Sequence, residues 1–357
     1  MEPTLPPSPV AYGSLAPTLE RLETAIVQLM RLVDVDSTSG REGPVVPLVH
    51  AVAAELGLSA RTMPVAAGRD NVLVGADDPA AVEVLLCTHL DTVPPFLPAR
   101  REATALWGRG SCDAKGIAVA MLHALAIARQ AASGAARAAC LLVVGEETDH
   151  AGARAALETG LFRPRHVILG EPCGTAPAIG QKGLIKLRCE ARGRAGHSAY
   201  PETGASAIHQ LVDALARLRA TDLPCDPTLG ETTVNIGEIH GGVAPNVFAP
   251  DAHATLVIRC AAPVDAVYAA ARSRLGPHVE VTELSRAEPH DFETYGEVAG
   301  PAVPFNTDAS YLRLLGAPVA LFGPGDMRCA HGEREHLAFS ELAAGIEAYA
   351  RAIVRLS

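Results

Sequence analysis

Apolar strands that end in ionisable residues constrain this chain more than any other feature of its sequence. Residues 83–93, EVLLCTHLDTV, have the length and flanks of a buried strand, and His89 and Asp91 stand where it ends. Similar apolar runs precede Glu146–Glu147 and Glu171. These runs alternate with helical patterns, which predicts an α/β fold built on a layered sheet. Because sites in such sheets form at the carboxyl ends of strands, we expect these acids and histidines to meet at one edge.

The composition excludes several classes of protein. The chain has 357 residues, too many for one ordinary core, and 48% hydrophobic residues, too many for a disordered chain. Its net charge of −10 argues against nucleic acid as a partner, because phosphate-binding proteins are usually basic. The eight scattered cysteines form no CxxC motif and are typical of buried thiols in a reducing cytosol. The most apolar helical pattern, GIAVAMLHALAIA, is too short to cross a bilayer, so we expect a soluble, cytoplasmic protein with no membrane partner.

A change of pattern near residue 176 predicts a second domain. The run GLIKLRCEARGRAG alternates as a half-exposed antiparallel strand, and strands with two helices follow it. We therefore predict an inserted α+β sandwich domain at 177–287, within a catalytic domain formed by 19–176 and 288–357. The alternation of GLIKLRCEARGRAG also predicts an edge strand suited to pairing between chains. Residues 1–18 are rich in proline and predict a disordered tail rather than a signal peptide.

The polar strand ends have the composition of a site for two metal ions. Imidazole and carboxylate ligands without thiolates suit zinc, cobalt or manganese. One bridging aspartate needs two further ligands on each side, and the chain offers that number in His89, Asp113, Glu147, Glu171 and His331. Each has a simpler interpretation taken alone, such as a helix cap for Asp113 or a solvated turn for the glutamate pair. Their joint occurrence at successive strand ends favours the metal site.

The motifs resemble those of the co-catalytic metallohydrolases that include acetylornithine deacetylase, succinyl-diaminopimelate desuccinylase, aminoacylase and glutamate carboxypeptidase. The segments that carry the resemblance lie in family order from about residue 20 to the end: THLDTVP, WGRGSCDAKG, GEE, GEP, GRAGHSAYPETGASAI and AHGEREH. The resemblance implies a zinc-exopeptidase-like mixed sheet flanked by helices, with the inserted domain serving as a lid and as the surface of a homodimer.

The resemblance also implies a ligand set. Two divalent ions, zinc in the first place and cobalt or manganese as alternatives, would share Asp113 as a bridge. His89 and Glu171 would complete one site, and Glu147 and His331 would complete the other. The family pattern further implies a cis peptide bond between Asp113 and Ala114.

Further roles beside the metals follow from the same resemblance. Glu146 would be the general base for a metal-activated water. Asp91 would accept a hydrogen bond from His89 and fix its tautomer. Glu335 matches a family acid near the last ligand, whereas His336 departs from the aromatic or aliphatic residue often found there.

Substrate contacts are implied in both predicted domains. His197 would reach the active site of the partner subunit and stabilise the oxyanion of the tetrahedral intermediate. Asn246 and Arg259 match positions that contact substrate, and the guanidinium of Arg259 suits an α-carboxylate because its fork pairs with both oxygens. Gly323 and Gly325 would line the carboxylate pocket.

Several functions are compatible with this resemblance. The leading one is hydrolysis of an N-acyl amino acid, with N-acetylornithine as substrate, because GEIHGG followed by PN, and FGPGDMRCAH, look most like that branch. Glu171, where some deacetylases carry aspartate, keeps open a succinyl-diaminopimelate desuccinylase or a carrier-protein-linked lysine or ornithine hydrolase. A broad dipeptidase or carboxypeptidase is a third reading. A metal-free binding relative is disfavoured because all five ligands and Glu146 are present.

Overall fold

The computed structural model describes residues 15–131 and 137–357 of the chain, and most of the predicted Pro-rich tail lies outside them. The described residues form these α-helices: α1 (Leu19–Val33), α2 (Val46–Glu55), α3 (Lys115–Ala131), α4 (Ala151–Glu158), α5 (Ala207–Arg219), α6 (Val264–Leu275), α7 (Ala309–Leu312) and α8 (Phe339–Leu356). They form these strands: β1 (Ala60–Ala66), β2 (Arg69–Val74), β3 (Val84–His89), β4 (Arg100–Arg101), β5 (Ala105–Trp107), β6 (Ala138–Val143), β7 (His166–Leu169), β8 (Cys173–Gly174), β9 (Gly180–Gln181), β10 (Gly183–Arg192), β11 (Thr233–Gly241), β12 (Asp251–Cys260), β13 (Val279–Ala287), β14 (His290–Asp291), β15 (Val319–Leu321), β16 (Gly323–Asp326) and β17 (His336–Ala338).

The chain divides into two compact units. The first runs to Pro177 and continues over Tyr295–Val298 and Tyr311–Ser357. The second consists of Ala178–Thr294 and Ala299–Ser310. The predicted bounds of an inserted domain, and its role as a lid, stay predictions.

The first unit is built on a mixed six-stranded sheet with the order β1-β2-β6-β3-β7-β15. Strands β6, β3, β7 and β15 are parallel, whereas β2 pairs antiparallel with both β6 and β1. Every residue of β3 and β6 is buried, as expected for parallel strands covered on both faces. Helix α3 buries all its residues from Lys115 to Ala128. The predicted α/β fold, a mixed sheet flanked by helices, is confirmed.

This topology places the polar strand ends together. Strand β3 ends at His89, β6 leads into Glu146–Glu147, β7 leads into Glu171, and β15 leads through β16 towards His331. Because the four strands are parallel, their carboxyl ends lie at the same edge of the sheet. No helix in the described part of the chain has the length and apolar character needed to cross a bilayer.

The second unit contains an antiparallel four-stranded sheet with the order β11-β12-β10-β13. Alternate residues of β10 and β12 are buried, and the apolar faces of α5 and α6 share their core. The prediction that GLIKLRCEARGRAG is an edge strand is wrong, because β10 lies between β12 and β13. Alternation shows that one face of a strand is covered, but it does not show how many strands flank it. The edges of this sheet are β11 and β13.

Candidate metal centre

A buried aspartate lies between two histidines at the carboxyl edge of the first unit's sheet. Asp113 Oδ1 is 3.0 Å from His89 Nε2, and Asp113 Oδ2 is 3.1 Å from His331 Nε2. The peptide bond from Asp113 to Ala114 is cis, as the resemblance implies. Each carboxylate oxygen therefore faces a different imidazole, which is the arrangement that a bridging ligand requires.

Two groups of three side chains share this aspartate. His89, Asp113 and Glu171 form a buried group, and Asp113, Glu147 and His331 form a more open one; in each group the ligand atoms lie within 4.8 Å of one another. His331 Nε2 is also 2.9 Å from Glu147 Oε1. The structure thus brings together the five residues predicted as ligands. One imidazole and two carboxylates in each group fit a divalent ion such as zinc, although their role as ligands stays a prediction.

The carboxylates around Asp113 place the two histidines in a negatively charged environment. Burial lowers the pKa of His89, but the hydrogen bond and charge of Asp113 outweigh it and leave that pKa well above its ordinary value. Hydrogen bonds to Asp113 and Glu147 raise the pKa of His331 to about 10. Burial acts to raise the pKa of Asp113, yet hydrogen bonds from the two histidines hold it well below its usual range. The cluster therefore attracts positive charge, which protons or metal ions can supply.

Asp91 contacts His89 through its backbone and the acidic loop through its side chain. Its backbone carbonyl, not its carboxylate, is the partner of His89 Nδ1, at 2.9 Å against 3.6 Å to Oδ1. The predicted hydrogen bond between His89 and Asp91 is therefore present, and the backbone carbonyl of Asp91 is the acceptor. Its carboxylate instead accepts the backbone N–H groups of Glu146 (3.0 Å) and Glu147 (3.2 Å) and the hydroxyl of Ser39 (2.7 Å). Asp91 therefore fixes both the imidazole and the loop of the acidic pair.

A buried ion pair, Arg109 with Glu335, supports the bridging aspartate, and sequence reasoning missed its arginine. Glu335 Oε2 accepts a hydrogen bond from Arg109. Its Oε1 accepts backbone hydrogen bonds from Gly110 (2.8 Å), Cys112 (3.3 Å) and Asp113 (3.2 Å). Arg109 also donates to the carbonyl of His331 at 3.2 Å. Arg109 lies in the WGRG motif and Glu335 in the AHGEREH motif. Because a buried charge needs a partner, these two oppositely charged motif residues could have been paired from the sequence.

The second unit holds His197, Asn246 and Arg259, three of the five residues that are predicted to contact substrate. His197 and Asn246 are exposed, and their segments meet where the N–H of Ser198 donates to the carbonyl of Asn246 at 3.0 Å. Arg259 is partly exposed and lies eight residues along β12 from Asp251. At about 3.4 Å per residue this is a separation of about 27 Å. Asp251 pairs with Arg192, at the end of β10 that precedes the His197 segment, so Arg259 lies towards the opposite end of this sheet.

Gly323 and Gly325 are buried against the Glu171 segment. A Cβ on Gly323 would lie 2.6 Å from the carbonyl oxygen of Glu171. Gly325 has φ +103°, and its Cβ would lie 2.6 Å from Cys112 Sγ. Both positions thus require glycine for close packing. Their predicted place in a carboxylate pocket stays a prediction.

His336 packs on an aromatic ring. Its ring stacks on Trp107 with the centroids 4.4 Å apart, where β17 pairs with β5. The guanidinium of Arg100 lies 5.1 Å from the centroid of the same indole. This stack gives the unusual histidine a structural role.

Comparison with known proteins decides the family. Residues 85–355 match the model described as Peptidase family M20/M25/M40. A "Peptidase M20 domain-containing protein" of Schizosaccharomyces pombe is 33% identical over 97% of this chain and 87% of its own length. The chain belongs to this peptidase family. As an M20 family member it is a metal-dependent hydrolase that acts on amide bonds, which confirms the predicted reaction class.

Two further comparisons extend this result. A "Probable carboxypeptidase" of Aspergillus terreus is 37% identical over 77% of this chain and 71% of its own length. The crystal structure of an aminopeptidase from Bacillus cereus matches with a TM-score of 0.75, over 96% of this chain and 99% of that one. At 19% identity this likeness shows that the two chains share a fold.

Proposed function

We propose that this M20 family member hydrolyses the amide bond that precedes an amino acid with a free α-carboxylate, in small peptides or in N-acyl amino acids. The observation that carries the proposal is the carboxylate of Asp113, which offers one oxygen towards His89 and the other towards His331. The name carboxypeptidase borne by a relative with 37% identity supports a substrate with a free carboxylate.

The two groups around Asp113 would each hold one divalent ion. His89 and Glu171 would complete the buried site, and Glu147 and His331 the open one. When bound there, such ions would supply Lewis-acid chemistry, which polarises a scissile carbonyl and lowers the pKa of a coordinated water.

Proton transfer is assigned to Glu146. It comes directly before Glu147, and the carboxylate of Asp91 holds the backbone N–H of both residues. The side chain of Glu146 removes the proton of the attacking water and returns it to the leaving amine. Asp91 orients this base through the backbone, and its carbonyl holds the ring of His89 through Nδ1.

N-acetylornithine is the particular substrate that the sequence favours. The motifs GEIHGG and FGPGDMRCAH support it, and the relatives named carboxypeptidases support a peptide instead. Both substrates carry an α-carboxylate, for which the guanidinium of Arg259 offers two donors. Arg259 lies on β12 and is partly exposed.

We also propose a homodimer through the second unit, in which His197 completes the site of the partner. His197 is exposed, so its ring is accessible to another chain. Strand β11 is an edge of its sheet, and Ile239 on it is 50% exposed. Val243, two residues after the end of β11, is 71% exposed, and Val212 on α5 is 45% exposed. Unpaired edge strands with exposed apolar side chains favour association between copies.

A matched substrate panel tests the proposed function. Chelated protein should lose activity and regain it with zinc, cobalt or manganese. The panel contains N-acetylornithine, N-succinyl-diaminopimelate, N-acetylcitrulline and dipeptides, each dipeptide paired with its C-terminal amide. We expect kcat/KM to fall by about 100-fold or more from acid to amide, because a bidentate charged contact is lost. Equal rates on acid and amide, or full activity after chelation, would contradict the proposal.

A further inference from the structure

Two cysteines from distant parts of the chain touch beside the metal centre. Cys112 Sγ lies 3.7 Å from Cys329 Sγ, although the residues are 217 positions apart. Cys112 directly precedes Asp113 and is fully buried, whereas Cys329 is partly exposed and lies two residues before His331. The proposed mechanism uses neither thiol.

We propose that Cys112 and Cys329 form an oxidisable dithiol, which a hydroperoxide converts into a disulfide that weakens metal binding. A disulfide requires the sulfurs to approach to about 2.05 Å. A side-chain rotation and a shift of the backbone have to supply the remaining approach of about 1.7 Å.

We expect Cys329, rather than Cys112, to move when the disulfide forms. The backbone of Cys112 is held by Glu335, and Gly325 packs directly against its sulfur. Cys329 ends a short 3-10 helix, and its sulfur contacts the carbonyl of Asp326 at 3.0 Å. Because Cys329 is also the more exposed thiol, it is the one that meets a peroxide first.

The reaction is balanced with hydrogen peroxide as oxidant. Cys329 sulfur attacks one peroxide oxygen, the O–O bond breaks, and the leaving hydroxide takes the thiol proton to become water. The product is a sulfenic acid on Cys329. Cys112 sulfur then attacks the sulfenic sulfur, the S–O bond breaks, and the hydroxyl leaves as water with the proton of Cys112. Two thiols are oxidised by two electrons in all, and one peroxide is reduced to two waters.

The disulfide would act on the metal centre through His331. That residue follows Cys329 by two positions and contacts Asp113 at 3.1 Å and Glu147 at 2.9 Å. Ligand distances in a metal site tolerate deviations of only about 0.2 Å. A shift of the Cys329 backbone therefore displaces His331 from the open site, and this half of the proposal rests on the proposed function.

Peptide mapping with metal analysis tests both halves. All proteins carry Cys225→Ser, because Cys225 is exposed and could link chains. After hydrogen peroxide treatment and alkylation of the remaining thiols, we expect a Cys112–Cys329 linked peptide, a fall of about tenfold or more in activity and loss of about one metal per chain. A thiol reductant with added metal should restore both.

Matched variants separate the possible outcomes. Cys329→Ser and Cys112→Ser should each abolish the linked peptide and the metal loss. Cys173→Ser, close to Glu171 in the sequence, is the control and should keep both. Two test variants are used in case one of them fails to fold. A map in which other thiols oxidise and this pair does not would overturn the dithiol. A linked peptide with unchanged metal and activity would overturn the effect on the site. Failure of the proposed function is distinguishable, because it would show as missing metal or activity in the reduced protein.

Discussion

Arg109 and Glu335, 226 residues apart in the sequence, form an ion pair whose side chains are 2% and 0% exposed. The carboxylate also receives three backbone N–H groups of the loop that ends at Asp113, and the guanidinium also reaches the carbonyl of His331. One pair thus fixes the spacing between the bridging carboxylate and the histidine that completes the open group. Charges are buried in this way only when each is compensated.

Glu335→Gln tests this pair through stability. The substitution leaves Arg109 buried without a counter-charge, so we expect the free energy of unfolding to fall by about 3–5 kcal/mol. Urea unfolding of the metal-free protein measures this directly. Glu333→Gln, at an exposed position two residues away, is the matched control and should change stability by less than about 0.5 kcal/mol. Equal effects at the two positions would show that the pair does not hold the loop.

Glu146→Gln separates catalysis from metal binding. The five predicted ligands are untouched, so the metal content should remain while kcat falls by about 100-fold or more. Glu147→Gln is the matched change one residue later, and it should lose metal from the open group as well as activity. Elemental analysis and steady-state kinetics of both variants decide the assignment. If the first variant loses metal and the second keeps it, the roles of the two glutamates are exchanged.

Asp91→Asn tests how the acidic loop is held. The amide cannot accept hydrogen bonds through both of its side-chain atoms, so one of the N–H groups of Glu146 and Glu147 loses its partner. We expect kcat to fall by about 10–100-fold. Ser39→Ala removes only the hydroxyl contact to Asp91 and should cost less. A loss confined to KM in the first variant would argue against a role in orienting the base.

The sequence predicts those parts of the molecule that depend on local pattern. Strands β3 and β6 and helix α3 could be located because buried parallel strands and their helices are continuous apolar runs. Of the five residues in the two metal groups, His89, Glu147 and Glu171 could be chosen because they lie at or after the ends of such strands. Asp113 and His331 were chosen from the motifs WGRGSCDAKG and AHGEREH. The same logic failed for β10, whose alternation is that of a half-covered strand in either an edge or an inner position.

Contacts decided by tertiary geometry were beyond sequence reasoning. The choice of His89 between the carbonyl and the carboxylate of Asp91 depends on the turn after β3, for which two-residue spacing gives no rule. Arg109 and Glu335 lie in separate motifs, and their pairing appears only when the loops before α3 and β17 meet. The contact of Cys112 with Cys329 has the same origin.

The buried imidazole of His123 should make the stability of the protein depend on pH. Burial, with a smaller contribution from Arg21, lowers its pKa to about 4, and its ring meets Gln28 at 2.7 Å. The pKa is about 6.5 in the unfolded chain, so the unfolded state binds more protons as the pH falls from 6.5 towards 4. The stability contributed by neutral His123 is therefore present above pH 6.5 and lost below it.

Urea unfolding at pH 7 and pH 5 measures this contribution. From pH 7 to pH 5, the free energy of unfolding should fall by about 2 kcal/mol more in the wild type than in His123→Leu. This difference is expected even though the variant is less stable at pH 7. His209→Gln, at an exposed position on α5, should follow wild type and serves as the control. Parallel pH profiles for wild type and His123→Leu would show that this histidine does not titrate as expected.

Mixed dimers test the proposal that His197 acts in the partner's site. Homodimers of His197→Ala and of Glu146→Gln should both be nearly inactive, the first without the oxyanion contact and the second without the base. In a mixed dimer, the intact metal centre of the His197→Ala chain meets the intact His197 of the other chain. Random exchange makes about half of the dimers mixed, with one good site of two, so the mixture should recover up to about a quarter of wild-type activity. Mixing Glu146→Gln with Asp113→Ala is the control. The first chain lacks the base and the second lacks the bridging ligand, so neither metal centre is active and no recovery is expected. If exchange is demonstrated by mass spectrometry and the first mixture stays inactive, His197 acts within its own chain or outside the reaction.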